Sequence, residues 1–270
     1  MLIGMFFELE LAWGFGVRFP MGTAAQMATP LPPPTTAIGA VMEPLAIKLG
    51  LGETIRLGKG KKATKCSTAY LLYKATEAAA FGLSPKSPTG IVVKAEMNRL
   101  VTASYTKKRD PSMWSGVQAV ALAYGPKALL EMMLVIDSNR LVNELKSFGV
   151  SIAEEEVVKM LKGVTVRRVG SKEGIVAMRR KEIGEVNLEK DVESFLYAPK
   201  DVVKESKYYT ELMLWKPDEE AFCKGQNPHY EIFVVPSGPL SSQALLTPPI
   251  EPLVLKEGYC LKEACVGGAK

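Results

Sequence analysis

A strand that leads through a glycine-rich loop and three consecutive prolines into a helix constrains this chain more than any other feature of its sequence. In residues 5–13 (MFFELELAW), large apolar side chains recur at every second position from Phe7 to Trp13, and Glu8 and Glu10 lie between them. This alternation is the period of a strand with one buried and one exposed face. The first element is therefore predicted to be a half-buried strand.

A proline-led helix follows the loop. Pro32, Pro33 and Pro34 fix φ and hold the chain extended, and the hydroxyl of Thr35 or Thr36 is expected to accept a hydrogen bond from the first free N–H groups of the helix. The helix is indicated by one apolar stripe at helical spacing, which consists of Ile38, Val41, Met42, Leu45 and Leu49.

The loop between strand and helix combines glycines with hydrogen-bond donors. Its glycines expose backbone N–H groups beside a helix N-terminus, and Arg18, Thr23 and Gln26 add a guanidinium and neutral polar groups. Such a set suits a phosphate or a sugar-phosphate backbone. The alternative is an ordinary ordered loop whose glycines only permit turns, and loop chemistry alone favours that alternative.

The charge of the chain is informative in its distribution more than in its total. The 270 residues carry 34 basic and 29 acidic side chains, a net charge of +5 that does not by itself indicate nucleic acid. The basic residues are clustered at 56–65, 107–109 and 167–168, and the acidic residues gather elsewhere. Since 47% of the residues are hydrophobic, the chain is long and apolar enough for one large domain or two small ones.

Cysteine and histidine usage gives no sign of a metal site. Cys66, Cys223, Cys260 and Cys265 are scattered, none forms a C-x-x-C pair, and His229 is the only histidine. A zinc site is therefore not expected, and reduced thiols in a cytoplasm are the default expectation. The apolar N-terminus lacks the basic flank of a signal peptide, and no apolar run approaches the ~20 residues that span a bilayer, so no membrane association is expected.

The middle of the chain holds two further strand candidates. Residues 67–75 are predicted to be a strand, although a helix as far as Ala80 also fits. The nearly continuous apolar run at 128–136 has the length and composition of a buried central strand.

Two helices and a final strand complete the coarse order. A short helix is predicted over residues 138–148, and Ser151 and Glu154 form a capping box that predicts a second helix, ending near Lys162. A strand is predicted after the turn at 170–174.

The chain thus reads strand, helix, strand with an insertion, strand, helix, strand, which is the split β-α-β order of a ferredoxin-like, RNA-recognition-motif-like fold. We expect an α+β chain with this core over residues 1–182, including a large projecting insertion at 51–127, and a small β-rich C-terminal extension over 183–270. The extension is expected to contain strands at 208–215 and 230–235 and to end in an irregular tail.

A second glycine-rich turn precedes the last strand of the core. Arg168, Ser171 and Lys172 lie in or beside the sequence GSKEG at 170–174. This turn is either a loop that binds a nucleic-acid backbone or a simple charged hairpin turn, and its residues alone favour neither.

The two glycine-rich segments together resemble a known family. The pattern WGFGVRFP at 13–20, Gln26, and LPPPTTAIGA at 31–40 looks like the start of the CRISPR-associated Cas-five proteins, above all of the archaeal form in type I-A Cascade complexes. The sequence RVGSKE at 168–173 resembles a second motif of that family. The motifs are widely separated and occur in the right order, and the resemblance covers residues 5–50 and 128–180.

The resemblance implies a RAMP protein that holds the 5′ handle of the crRNA at one end of an RNA-guided surveillance complex. One branch of the family cuts pre-crRNA, but this chain is expected not to be an enzyme, because it offers no well-placed general base. It implies contacts with the first backbone subunit of the filament (the seventh Cas family), with the large subunit, and through the complex with target DNA, but no cofactor. The basic insertion would act as a thumb that bends the RNA. The residues expected to contact RNA are Arg18, Thr23, Gln26, Thr35, Thr36, Lys59, Lys61, Lys62, Lys107, Lys108, Arg109, Arg168, Ser171 and Lys172.

Aromatic residues beside the loop have two interpretations. Trp13, Phe15 and Phe19 are placed to stack on bases of single-stranded RNA. Packing in the protein core is the alternative, and the alternation of the first strand favours the core for Trp13.

Two other functions are weighed against RNA binding alone. A metal-independent ribonuclease that processes pre-crRNA needs a general base, for which the chain offers His229 in a probable turn, or Tyr70, Tyr73 and Lys74. A nucleotide-binding α/β enzyme is disfavoured, because the glycines after the first strand lack the G-x-G-x-x-G and G-x-x-x-x-G-K-[ST] spacings.

Overall fold

The computed structural model describes residues 1–17, 25–26, 28–58, 63–101, 115–170, 174–223 and 229–268, with side chains throughout except at 25–26, 95–101 and 115–121. The strands are β1 (Leu2–Leu11), β2 (Gly14–Phe15), β3 (Ala25–Gln26), β4 (Thr54–Leu57), β5 (Thr64–Ser67), β6 (Thr76–Leu83), β7 (Ile91–Val101), β8 (Ser115–Tyr124), β9 (Leu129–Asp137), β10 (Val176–Glu185), β11 (Asn187–Ser194), β12 (Ala198–Pro199), β13 (Val203–Ser206), β14 (Tyr209–Trp215), β15 (Tyr230–Pro236), β16 (Leu245–Leu246), β17 (Leu253–Leu261) and β18 (Ala264–Gly267). The helices are α1 (Pro34–Lys48), α2 (Ala69–Tyr73), α3 (Ser138–Ser147), α4 (Glu154–Lys162) and α5 (Glu219–Phe222).

These elements make a mixed α/β protein in which strands predominate. The central sheet has four antiparallel strands in the order β10–β1–β9–β6, and Gly4 of β1 lies opposite Val135 of β9 and Gly184 of β10. Most residues of β1 and β9 are buried. The buried central strand predicted at 128–136 is therefore confirmed.

Both faces of the central sheet are covered. α1 and α3 pack on one face, and β17 and β18 pack on the other. The second face is covered closely, because a methyl group on Gly4 would lie 2.4 Å from Cγ1 of Val186 and 3.4 Å from Cβ of Leu261 in β17, and one on Gly82 would lie 1.9 Å from the carbonyl oxygen of Phe195. The loops at the ends of the strands, not a sheet face, are thus the surfaces left for a large ligand.

The helix predicted over 138–148 is confirmed as α3. The Asp137 carboxylate accepts hydrogen bonds from the backbone N–H groups of Asn139 (3.0 Å) and Arg140 (3.1 Å), which caps the helix N-terminus. Gly149 follows the helix with φ +83°, the left-handed conformation that ends many helices.

Residues 67–83 differ from the predicted strand at 67–75. They form the short helix α2 and then β6, which pairs with β9 in the central sheet. β6 is rich in alanine, a strong helix former, but its small side chains fit between the covering layers, and packing decides the conformation. The segment 51–127 consequently does not project as one insertion, because it contributes an edge strand to the core.

The capping box predicted at Ser151 and Glu154 is wrong. α4 begins at Glu154 with Ala153 as its N-cap and without a side-chain cap. The Glu154 carboxylate instead accepts a hydrogen bond from the Ser138 hydroxyl and lies 3.7 Å from the N-terminal ammonium of Met1. These partners lie far from Glu154 in sequence, so the local pattern does not reveal them.

The C-terminal part contains more regular structure than the sequence indicates. β14 and β15 confirm the strands predicted at 208–215 and 230–235. The predicted irregular tail is wrong, since β17 is the central strand of a second sheet, β11–β17–β13, and also pairs with β18. β10 ends at Glu185 and β11 begins at Asn187. The division into domains at residue 182 stays a prediction.

The four cysteines are paired, contrary to the expectation of reduced thiols. Cys66 and Cys223, which are 157 residues apart, join the end of β5 to the end of α5, and Cys260 and Cys265 are cross-strand neighbours in β17 and β18. The first pair is brought together only by the tertiary fold, and the second only by strand register. Cysteine spacing therefore gave no sign of either.

The helices in the described ranges are all too short or too polar to cross a membrane.

Candidate nucleic-acid interface

The strand after β1 is held against the β7–β8 hairpin. Gly14 and Phe15 pair with Tyr124 and Ala123 of β8. A methyl group on Gly14 would lie 2.0 Å from the carbonyl oxygen of Ala123, so only glycine fits at this position. The start of the predicted phosphate-binding loop is thereby fixed on the hairpin.

The end of the same loop lies along the same strand. β3 runs parallel to β8, with Ala25 beside Ala119 and Gln26 beside Val120. Both ends of the loop at 16–24 are therefore anchored on β8. The backbone of Gln26 belongs to this pairing, and its side chain is among those not described.

The residues on both sides of the predicted turn at 170–174 pair with each other. The Val169 N–H donates to the Gly174 carbonyl oxygen (2.8 Å), and Arg168 bridges to Ile175. A methyl group on Gly174 would lie 1.9 Å from the Val169 carbonyl oxygen, so the turn closes only with glycine there.

The two predicted loops meet. Gly170 has φ +73°, and its ideal Cβ position lies 2.7 Å from the Gly16 carbonyl oxygen and 2.9 Å from a Val17 methyl group. Phe15 is also in reach of the turn, 3.2 Å from the ideal Cβ of Gly174. The fold thus joins two glycine-rich segments that are more than one hundred residues apart in sequence.

Most of the predicted RNA-contacting side chains lie outside the described residues, although the segments on both sides of them are described. This group comprises Arg18, Thr23, Lys59, Lys61, Lys62, Lys107, Lys108, Arg109, Ser171 and Lys172. Phe19 also lies outside the described residues.

Arg168 is held by an acidic partner on α1. Its guanidinium pairs with the Glu43 carboxylate, and each side chain is nearly half exposed. The pair ties the 170–174 turn to α1. A phosphate group that approaches Arg168 has to compete with Glu43, and an exposed pair of this kind is weak enough for such competition.

The start of α1 differs from the predicted threonine cap. Pro33 is the N-cap residue, Pro34 is the first helical residue, and the Thr36 N–H donates to the Pro33 carbonyl oxygen (2.9 Å). Thr35 and Thr36 are half-buried within the first turn and do not cap it. Rigid prolines replace the capping hydroxyl because their fixed φ already suits the start of a helix.

The polyproline segment itself is buried by the C-terminal part of the chain. The hydroxyl of Tyr197 donates to the Pro32 carbonyl oxygen (2.9 Å), and Tyr197 is fully buried with its ring 5.1 Å from that of Phe233. Little of the helix N-terminus is therefore open to a ligand from this side.

The aromatic residues beside the loop separate into two groups. Phe15 is fully buried, so the prediction that it can stack on bases is wrong. Trp13 lies beyond the end of β1, half-buried, with its ring centroid 5.6 Å from that of Tyr124, so its predicted place with Phe7 on the buried strand face is also wrong.

Two basic hairpins extend from the core. β4 and β5 place Arg56 directly opposite Lys65, both exposed, and lead to the predicted lysines at 59–62. Like charges in cross-strand positions repel each other, so a bound anion would stabilise this face of the hairpin. The sequence shows that this segment is basic, but only the strand register shows that these two cations face each other.

The second hairpin carries the other predicted basic cluster. β7 and β8 pair from Val92 opposite Tyr124 to Val101 opposite Ser115, and the connection at 102–114 contains Lys107, Lys108 and Arg109. At about 3.4 Å per residue, the 11 residues of β7 extend about 35 Å. A long hairpin, whose connecting segment is basic in sequence, thus begins beside the glycine-rich loop.

A cavity of 570 Å³ separates α1, α2 and β6 from the C-terminal strands, and it brings together residues considered for catalysis. Tyr73, Lys74 and Asp218 are among its lining residues, and Nδ1 of His229 lies 2.8 Å from Oδ2 of Asp218. Burial raises the pKa of Tyr73, and Asp218 and neighbouring carboxylates raise it further.

Tyr70 is a poor proton acceptor for the same reason. Burial and Glu219 raise the pKa of Tyr70 to about 12. Neither phenol is therefore predisposed to ionise near neutral pH, which weakens the tyrosines as general bases.

Two curated relatives show similarity over most of the chain. One, from Saccharolobus solfataricus, is a "CRISPR system aCascade subunit Cas5 1", with 25% identity over 240 residues that make up 87% of this chain and 89% of the relative. The other, a "CRISPR-associated protein Cas5 3" of the same organism, has 28% identity over 242 residues and the same coverage. The chain is similar to Cas5 proteins over most of its length. The predicted resemblance to that family is thus confirmed.

A solved structure shares the fold of this Cas5 relative. A CRISPR protein from Archaeoglobus fulgidus superposes over 99% of this chain and 100% of its own chain, with a TM-score of 0.55 and 17% sequence identity. No family model matches the chain.

Proposed function

We propose that this Cas5 relative is an RNA-binding subunit of a CRISPR surveillance complex, a type I-A Cascade, and that it holds the 5′ handle of the crRNA. One observation carries the proposal: the loop after β1 and the turn at 170–174, which are the two family-like motifs, contact each other at Gly16 and Gly170. One of the relatives is itself an aCascade subunit.

The chemistry of the joined loops supports an RNA backbone as the ligand. Arg18 and Lys172 add positive charge to the two glycine-rich segments, and positive charge together with oriented backbone N–H donors is the combination that binds phosphates. The half-buried pair of Trp13 and Tyr124 lies beside these loops and offers an aromatic surface for a base.

We assign the central sheet to a ferredoxin-like, RNA-recognition-motif-like core. The strand order β10–β1–β9–β6, with α1 after β1 and α3 after β9, supports this assignment. Since the C-terminal strands cover the sheet face opposite the helices, the RNA has to bind at the loop end of the sheet and not across that face.

The basic hairpins would extend the contact with RNA. In this proposal the β7–β8 hairpin acts as the thumb, with Lys107, Lys108 and Arg109 at its tip, and the β4–β5 hairpin contributes Arg56 and Lys65. The partners would be the first backbone subunit of the filament and the large subunit, with target DNA reached through the complex.

The proposed location is the cytoplasm, without membrane association. Intracellular proteins of hyperthermophiles are rich in disulfides, so two disulfides do not by themselves argue against this location.

We also propose that the chain does not cleave RNA. The raised pKa values of Tyr70 and Tyr73 support this, as does the position of His229, whose side chain is 69% exposed and hydrogen-bonded to Asp218. Incubation of the purified chain with repeat RNA in EDTA should leave the RNA intact. Site-specific cleavage that is lost in His229→Ala would reverse this assignment.

Binding of a 5′-handle RNA, followed by fluorescence anisotropy at several salt concentrations, tests the main proposal. Arg18→Ala and Lys172→Ala should each weaken binding and lower the slope of log affinity against log salt by about 0.7, the value for one phosphate contact with a single strand. Lys146→Ala, an exposed lysine on α3, serves as the matched control and should bind like the wild type. Unchanged slopes in both test variants would contradict the proposal.

A further inference from the structure

A histidine and two carboxylates meet at the end of the β14–β15 ladder, away from the joined loops. One ligand-capable atom from each of Asp218, Glu220 and His229 lies within 4.8 Å of the other two. Cysteine and histidine spacing in the sequence gives no sign of this group, because its single histidine is joined by carboxylates that only the fold brings close.

The backbone holds this group in place. Trp215 and Tyr230 are the last paired residues of the β14–β15 ladder. The N–H of the next residue, Lys216, donates a hydrogen bond to the His229 carbonyl oxygen (3.0 Å). Glu220 lies on α5, whose end is tied by the disulfide between Cys223 and Cys66. The three side chains are thus carried by anchored segments.

The contacts of Asp218 orient its carboxylate toward the histidine. Oδ1 accepts a hydrogen bond from the Ala221 N–H (2.8 Å), and Oδ2 accepts one from the His229 backbone N–H (3.3 Å) and lies 2.8 Å from Nδ1 of His229. The contact with Nδ1 is a hydrogen bond, and an ion bound by both atoms would replace its proton. Glu220 forms no salt bridge within the described part of the chain, so its carboxylate is available to a cation.

We propose that Asp218, Glu220 and His229 bind a divalent first-row transition-metal ion. One imidazole nitrogen and two carboxylate oxygens form a mixed set that suits Zn²⁺ and Mn²⁺ better than Mg²⁺ or Ca²⁺, which prefer oxygen alone. Three protein ligands leave at least one coordination position open. Because Asp218 also lines the 570 Å³ cavity, the ion would lie at the cavity edge. The proposal is independent of RNA binding.

The single histidine makes the test direct, because its imidazole is a unique reporter. The full-length chain, labelled with ¹⁵N-histidine and kept free of reductant so that the cysteines stay paired, is titrated with ZnCl₂ and observed by ¹H–¹⁵N NMR. One equivalent should shift the His229 nitrogen resonances, and EDTA should reverse the shift. An imidazole signal that zinc leaves unchanged would overturn the proposal.

Two charge-neutralising variants separate ligation from general attraction. Glu220→Gln should weaken zinc binding at least about tenfold, the loss that removal of even an outer-shell partner causes. Glu231→Gln removes the same charge from another residue that lines the cavity and should bind zinc like the wild type. Equal weakening in both variants would mean unspecific attraction and would overturn the assignment of Glu220 as a ligand.

Discussion

The ideal Cβ position of Gly170 lies 2.7 Å from the carbonyl oxygen of Gly16. A residue of the turn before β10 is thus in contact with the loop that follows β1, with no room for a side chain between them. The two segments of the proposed RNA surface therefore meet at the Gly16–Gly170 pair.

Gly170→Ala tests the importance of that contact. The added methyl group would clash with the Gly16 carbonyl oxygen, and the alanine would have to adopt φ +73°. The free energy of unfolding should therefore fall by about 1–3 kcal/mol. Urea denaturation measures the change, and handle RNA should bind more weakly at temperatures where the variant is folded.

Gly50→Ala is the matched control. Gly50 has φ +66° but no atom within 4 Å of its ideal Cβ, so its alanine variant carries only the left-handed backbone penalty of about 1–2 kcal/mol and should bind RNA normally. Normal RNA binding by Gly170→Ala as well would argue against a joined surface.

Glu43→Gln should increase RNA affinity by releasing Arg168. The exposed Arg168–Glu43 pair contributes at most about 1 kcal/mol, so the expected gain is about twofold to fivefold. Anisotropy titrations at fixed salt measure it. The gain should disappear in an Arg168→Ala background, and a gain that persists there would mean that Glu43 acts through general repulsion instead.

Local patterns predicted the elements whose partners lie nearby in sequence. The alternation in β1, the apolar run of β9 and the stripe of α1 each reflect the burial that the element has in the fold. The two glycine-rich motifs also indicated the site, because a turn or a close backbone approach that has no room for a side chain requires glycine.

Features that depend on distant partners could not be predicted in this way. The alanines of β6 favour a helix, but pairing with β9 makes the segment a strand. The Glu154 carboxylate contacts the Ser138 hydroxyl and the N-terminal ammonium of Met1 and does not form a capping box with Ser151. The disulfides and the group of Asp218 and His229 likewise exist only after the chain has folded.

Glu131→Gln should stabilise the protein at neutral pH and not at acidic pH. Burial in the central sheet raises the pKa of Glu131, while the Ser84 hydroxyl donates to its carboxylate (2.8 Å) and partly opposes the shift. With a higher pKa in the folded state, the folded protein binds the proton more tightly, so stability falls as pH rises through that pKa.

Thermal unfolding at two pH values measures this effect. At pH 7.5 the variant should melt a few degrees above the wild type, as expected for about 1 kcal/mol in a chain of this size, and near pH 4 the difference should shrink. A constant difference at both pH values would show that ionisation of Glu131 is not its cause.

The two disulfides should differ in their contribution to stability. In the chain-entropy model, a cross-link over the 157-residue separation of Cys66 and Cys223 contributes about 5 kcal/mol, and one over the 5-residue separation of Cys260 and Cys265 about 2 kcal/mol. Denaturation of the two double-serine variants under oxidising conditions measures both. Equal losses would contradict the predicted dependence on loop length, and four free thiols in the unreduced wild type would contradict the pairing.

Crosslinking within the assembled complex tests whether the loop after β1 and the turn at 170–174 together hold the 5′ handle. Guide RNA with 4-thiouridine along its 5′ handle is irradiated in the complex, and the crosslinked peptides are identified by mass spectrometry. Crosslinks are expected in residues 13–27 and 167–175, on both sides of the Gly16–Gly170 contact. Handle crosslinks confined to another subunit, or to parts of this chain away from both segments, would contradict this expectation.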